Sequence, residues 1–192
     1  QKQVTDNLQR LGGLDIEKVF PISPSPEQFH YRNKLEFTYS DNRWLTDEER
    51  HTENAEPRGL GFHLPGRFDK IFKVDRCYLQ NDYMNTIRNT ALDVALQQNL
   101  TFCNRKDHTG FLRNLMIRNS SAGHWMVTVI VGFDDQEMIA NYLNALKSKL
   151  PEVQTWIYIV NTKANDSLND LEFHVFSGPA TFTETMEHLH FS

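Results

Sequence analysis

The feature that most constrains the fold is a series of strand-length segments joined by short turns and interrupted by two helix-length apolar stripes. Phe111–Asn119 and His124–Gly132 are rich in β-branched and aromatic residues and flank the short turn Ser120-Ser-Ala-Gly123, which predicts a hairpin. Gly59-Leu-Gly-Phe-His-Leu64 and Phe68–Val74 flank Pro65–Gly66 and predict another. Between the two hairpins, Met84, Ile87, Ala91, Val94 and Ala95 recur at helical spacing after a cap at Asn81 or Asp82, giving a helix to about Gln98. Met138, Tyr142, Ala145 and Leu146 mark a second helix over Asp134–Leu150, stopped by Pro151. Gln154–Thr162 and Leu171–Ser177 read as strands joined by the polar Lys163–Asn169 loop. This order predicts an α+β fold, an antiparallel sheet built from hairpins with helices on one face.

The N-terminal stretch follows other rules. Val4, Leu8 and Leu11 lie at helical spacing in Lys2–Leu11, and Gly12–Gly13 suits a left-handed stop. Phe20-Pro-Ile-Ser-Pro-Ser-Pro26 carries three prolines, excluding helix and central strand alike, so it predicts an extended connector. Residues 1–30 are therefore expected to form a helical arm with its connector, residues 31–183 the main body, and residues 184–192 a lead out of it. The body opens on Leu35, Phe37 and Tyr39 alternating with Lys34, Glu36 and Thr38, the period of a half-buried strand over 33–40. Asp41–Pro57 is acidic, polar and aperiodic, and predicts a solvated loop. Gly59 and Gly61 predict a strand start where backbones pack closely.

Composition excludes several classes. A chain of 192 residues with 39% hydrophobic content suits one domain with a real core. No run approaches the ~20 apolar residues of a membrane span, and the first residues, Gln1-Lys2-Gln3, are neither a signal peptide nor a start methionine, which predicts a cut chain. Cys77 and Cys103 lie far apart without a second cysteine at metal-ligand spacing, so a reducing cytoplasm is the simpler expectation. The net charge of −5 disfavours a general nucleic-acid binder. Tyr31–Arg76, however, holds nine Lys or Arg against nine Asp or Glu, so a polyanion footprint is expected in that neutral stretch. Eight histidines form no HExxH pattern, and His188-Leu-His190 reads as a half-exposed terminal strand. No GxSxG, GxGxxG or Walker loop is present.

A family likeness begins at Tyr31-Arg-Asn-Lys-Leu-Glu-Phe37, which resembles the entry to the central domain of the RNA (uracil-5-)-methyltransferases. Gly59-Leu-Gly-Phe-His63 resembles the strand ahead of that family's cluster cysteine, and Val74-Asp-Arg-Cys-Tyr-Leu79 is similar to the segment that holds it. Lys2-Gln-Val through Leu8-Gln-Arg-Leu-Gly12 resembles the helix after the family's first three cysteines. Gly110–Arg118 with Met126–Ile130 resembles the central hairpin, and Gly178-Pro-Ala-Thr-Phe-Thr-Glu184 the stretch leading into the methyltransferase domain. The likeness spans nearly the whole chain and leans toward the ribosomal RNA branch over the transfer RNA branch.

The resemblance implies an S-adenosylmethionine-dependent enzyme that makes 5-methyluridine through attack of a cysteine thiolate on carbon six of a flipped uracil. The family's Ser-Cys-Asn-Pro nucleophile motif is absent, since Cys103 lies in Phe-Cys-Asn-Arg. The glycine-rich cofactor loop and the Asp-Pro-Pro-Arg motif are missing too, so no catalytic residue carries over and this chain alone is expected to be inactive. What carries over is RNA contact, with Arg32, Lys34, Arg58, Arg67, Arg113 and Arg118 as candidates to position phosphates or stack on splayed bases. Phe62 and Tyr78 could add a stacking surface or belong to the core. Cys77 matches the fourth thiolate of a 4Fe-4S cluster in the longer parent, leaving a free, alkylatable thiol and no metal here. Expected partners are RNA, with ribosomal RNA favoured, and neither membrane nor DNA. Two other readings stay open on the residues alone. One is an autonomous α+β module that binds proteins through its sheet. The other is a small metallohydrolase, which needs at least three histidines converging with a carboxylate.

Overall fold

The computed structural model describes all 192 residues. Helix α1 (Lys2–Arg10) ends at Gly12–Gly13, with Gly13 at φ 62° and the Leu14 N–H reaching back to the Leu8 carbonyl, and it buries no residue. The Gln1 side chain holds the connector, its Nε2 donating to the Phe20 carbonyl at 2.7 Å. The connector joins the body where His30 N–H donates to the Tyr78 carbonyl and Arg32 N–H to the Leu79 carbonyl.

In the body come β1 (Lys34–Ser40), α2 (Asp47–Arg50), β2 (Gly59–Leu64), β3 (Arg67–Lys73), α3 (Tyr83–Gln97), β4 (Leu112–Asn119), β5 (Trp125–Val131), α4 (Gln136–Lys149), β6 (Thr155–Val160) and β7 (Phe173–Ser177). Their strands form one seven-stranded sheet in the order β3-β2-β1-β4-β5-β6-β7. β1 sits inside it because its alternation supplies one wholly apolar face. Leu35 and Phe37 lie opposite Ile117 and Leu115, and together with Val127, Val129 and Trp156 they floor the core under α3 and α4. Burying each such side chain is worth about 1.5–3 kcal/mol. One polar thread crosses this core: Tyr39 donates to the Tyr142 hydroxyl at 2.6 Å, and Tyr142 donates to the Ala91 carbonyl at 2.8 Å. Burial pushes both phenols far up, so the thread stays protonated and ties β1, α3 and α4 together.

Two expectations need correction. The sheet is mostly antiparallel, but β5 and β6 run parallel, Met126 opposite Thr155 through Val131 opposite Val160. Helix α4 is the crossover that returns the chain to the starting edge, and β5, buried along its whole length, lacks the alternation of a one-sided hairpin strand. Asp41–Pro57 is no featureless loop either. Thr46 and Glu49 form a capping box at α2, and the Arg43 guanidinium grips Glu49 through two hydrogen bonds of 2.9 and 2.8 Å.

Gly61 has the role expected of it. A Cβ there would lie 1.9 Å from the Phe72 carbonyl oxygen, so only glycine lets β3 approach. At the other terminus β8 (Glu184–Met186) and β9 (Leu189–Phe191) make a separate hairpin, tied to the body by Glu184, which accepts from Ser121 N–H at 3.1 Å and from its hydroxyl. His188 sits in its turn and His190 meets Thr185 Oγ1. No helix is long and apolar enough to cross a membrane.

Candidate nucleic-acid interface

The two long helices share one face of the sheet, and on the other face charge gathers along β1 and β4. Lys34 stands directly opposite Arg118 in the β1–β4 register, so both exposed cations leave the sheet on the side away from the core. Arg32, in the connector just before β1, lies 5.9 Å over its neighbour Tyr31, itself exposed. Next to Lys34 on this face is Glu36, whose carboxyl is raised by burial and by the charge of Asp166 against the pull of Lys34 and Arg105. Lys34 and Arg118 therefore form one cationic pair at the end of the sheet where the connector enters.

Two candidates point elsewhere. The Arg58 guanidinium holds both oxygens of Glu56 at 2.8 and 2.9 Å, Asn99 Oδ1 at 3.1 Å and the Leu100 carbonyl at 3.2 Å. Arg113 is only 6% exposed and spends its fork on the loop after β6, donating to the carbonyls of Asn161, Lys163 and Asn165 and to Asp166 Oδ1. Neither offers a free fork at the surface, because backbone carbonyls and a carboxylate already take their protons. Both are positioning groups for loops.

Asp166 also receives Arg105 Nη1 on both oxygens, at 2.9 and 2.8 Å. Burial alone would raise this carboxyl, but the hydrogen bonds from Arg105 and Arg113 overcome it and hold Asp166 below the usual carboxylate range. Arg105 Nη2 also meets His63 Nε2 at 3.3 Å, and His63 Nε2 meets Thr38 Oγ1 at 3.2 Å. A guanidinium can only donate, so Nε2 is an acceptor and the ring proton resides on Nδ1. Loss of solvent and the neighbouring Arg105 charge depress the His63 pKa, which keeps it neutral at pH 7.

These contacts draw three loops around an open cleft of about 820 Å³: the β2–β3 turn with Arg67 and Phe68, the Arg105–Lys106 loop, and the tip at Ala164–Asp166. Asp69 pairs with Arg67 Nε at 3.4 Å and with Lys106 at 3.6 Å, one carboxylate between two cations. Of this group only Arg67 was foreseeable by residue type. His63 and Phe68 lie on β2 and β3 beside their turn, whereas Arg105, Lys106 and Asp166 come from loops far from them in sequence. The one local signal is Asn104, whose side chain caps its own loop by accepting from the N–H groups of Lys106 and Asp107.

Cys77 is a free thiol, only 6% exposed, and Asn85 clasps its backbone from both sides. Beside it Arg88 is 1% exposed, with an Nη1 that has no partner. No three His, Cys, Asp or Glu side chains converge anywhere, which removes the geometry that a metallohydrolase needs. Phe62 packs on Phe37 at 4.8 Å against the core, whereas Tyr78 is exposed under Arg76.

No protein-family model matches the chain. Individual proteins do. The chain is 42% identical over its full length to an uncharacterized RNA methyltransferase of Bacteroides thetaiotaomicron, covering 43% of that protein. A second, from Porphyromonas gingivalis, is 37% identical over the full chain and 43% of its own length. A third, from Chlorobaculum tepidum, is 35% identical over 99% of the chain and 40% of its length. The chain thus spans about two fifths of the length of these three relatives. The fold is shared with the crystal structure of Pyrococcus abyssi tRNA (uracil-54, C5)-methyltransferase in complex with S-adenosyl-L-homocysteine, at a TM-score of 0.64 and 19% identity over 97% of the chain and 39% of that structure.

Proposed function

We propose that this chain is the RNA-contacting part of an S-adenosylmethionine-dependent RNA methyltransferase that makes 5-methyluridine, with ribosomal RNA as substrate. The observation that carries the reading is similarity over the whole chain to an RNA methyltransferase of which it spans 43%, in a chain that sets Lys34 and Arg118 side by side on the sheet face away from the helices. In this reading residues 31–183 are the RNA-contacting body, residues 1–30 an arm, and residues 184–192 the lead toward the catalytic part. Lys34, Arg118 and Arg32 hold phosphates, Arg67 belongs to a second basic group, and Arg58 and Arg113 keep loops in place. The methyl donor, when bound, supplies the electrophilic methyl group. This chain's residues bind and orient the RNA and take no part in methyl transfer.

Cys77 fits a 4Fe-4S cluster only as one donor of four. The residues present do not make a cluster site by themselves, and no step of the reaction is routed through it. The cluster remains a proposal for a longer parent protein.

The test is salt-dependent binding of structured RNA, measured by fluorescence anisotropy. Affinity should fall steeply with salt, because each phosphate held releases counterions, and Lys34→Ala with Arg118→Ala should reduce the slope by about one unit per residue. Flat salt dependence, or no binding at low ionic strength, would favour the protein-interaction module instead.

A further inference from the structure

The cleft between the β2–β3 turn and the Arg105–Lys106 loop has three properties that a generic charged surface lacks. First, it carries an unspent aromatic. Phe68 is 71% exposed beside the turn, where an apolar ring in water gains nothing for the folded chain. It has no aromatic or cationic partner within the chain, unlike Trp44, which lies under Arg50 and Lys70.

Second, the cations beside that ring are under-used. Arg67 bonds only through Nε, to a single Asp69 oxygen at the long distance of 3.4 Å, and its two Nη groups make no hydrogen bond. Lys106 has only the same carboxylate, at 3.6 Å. Two positive charges thus share one negative charge, leaving a net cation with free donors. The contrast with Arg58 and Arg113, whose Nη groups are all engaged by carbonyls, an amide or a carboxylate, is internal to the molecule.

Third, the walls are held before any ligand arrives. Asp166 is locked by Arg105 and Arg113, Asn104 Nδ2 donates to Asp41 Oδ2 at 2.9 Å, and Arg105 steadies His63. Because His63 Nε2 is already an acceptor, its Nδ1–H is left without a partner and can donate to an acceptor on a base edge. A ring for stacking, a forked cation with a second cation for a phosphate, and a neutral donor are what an unstacked nucleotide requires.

We propose that this cleft captures one splayed nucleotide of single-stranded RNA, with its base laid on Phe68 and its phosphate held by Arg67 and Lys106. The proposal rests on the reading that the chain contacts RNA. It adds a second contact point that recognises an unpaired nucleotide, whereas the Lys34–Arg118 group holds phosphates of paired or unpaired RNA alike. A paired base cannot reach the ring, so the cleft discriminates by strand state.

The experiment compares a labelled single-stranded oligouridylate with a duplex RNA of equal length, both at low salt, on the full chain. Phe68→Ala should weaken single-strand binding by about tenfold, in line with the loss of one base stack, and leave duplex binding unchanged. Phe68→Tyr should restore it, and Arg67→Ala should lower the salt slope for the single strand by about one unit. Phe68 is surface-exposed, so circular dichroism should show these variants folded as the parent. If Phe68→Ala binds single strands like the parent while Lys34→Ala with Arg118→Ala weakens both RNAs, the cleft proposal is overturned and the RNA-contacting reading stands. Equal loss with both RNAs after Phe68→Ala would also overturn it. If the parent chain binds neither RNA, both readings fall.

Discussion

At the scale of single residues, similar arginines have opposite fates, and their partners decide which. Arg113 sits on a strand among apolar neighbours and reads as one more strand cation, yet its guanidinium organises the Asn161–Asp166 loop. Arg113→Ala would leave three backbone carbonyls short of a donor and Asp166 with Arg105 alone. Unfolding in urea should show a loss of about 2 kcal/mol or more, while the salt slope of RNA binding stays near that of the parent. A changed slope with unchanged stability would make Arg113 an RNA contact after all. Lys34 and Arg118 were legible as surface cations because period-2 alternation fixes which side of a strand a residue leaves. Arg113 was not legible, since a bulge between Leu112 and Asn114 breaks that alternation where its side chain emerges.

At the scale of elements, the strands and long helices follow from local periodicity, and the failures occur where side chains from distant positions set the structure. The segment after β1 looks like solvated acidic loop, but Arg43 turns it into a docked turn of helix. The aliphatic stem of Arg43 lies against Gly59 and its backbone bridges to Ile71, while the guanidinium holds Glu49. The hydrogen bonds from Arg43 and from Thr46 N–H hold the Glu49 carboxyl down at about 2. A carboxylate with a depressed folded pKa contributes stability that is fully present above its ordinary value of 4.5 and is lost as pH falls toward 2. Limited proteolysis within 44–57 should therefore be slow at neutral pH and accelerate in Arg43→Ala with the sheet still folded. With an acid-active protease, cleavage of the parent should rise as pH drops below 4.5, and that of the Arg43→Ala chain should change less. Equal cleavage rates in the two chains at neutral pH would show that the clip does not hold the segment.

At the scale of the whole molecule, the arrangement of the sheet bears on which chemistry the chain can host. The α+β class and the single helical layer were readable from the order of segments, but the parallel step was not, because a short buried apolar run looks the same whichever way its neighbour points. That step matters, since ligands of parallel sheets gather beyond the carboxyl ends of the strands at the N-terminus of the crossover helix. Here that place is Gly132-Phe133-Asp134-Asp135, between β5 and α4. A cofactor loop there would need glycines that let the ligand meet bare backbone N–H groups. Gly132 is glycine for another reason: a Cβ would lie 2.3 Å from the Gly110 carbonyl oxygen, so its open side is already filled by the chain. Asp135 accepts from Met138 N–H at 2.9 Å, capping α4 with the protein's own carboxylate and consuming an amide that a ligand would use. The one parallel crossover is thus built to pack, and S-adenosylmethionine should produce no binding heat with this chain in calorimetric titration at concentrations up to the millimolar range. Micromolar affinity would show that the chain holds a cofactor site outside the β5–α4 turn and would overturn its assignment as a purely RNA-contacting part.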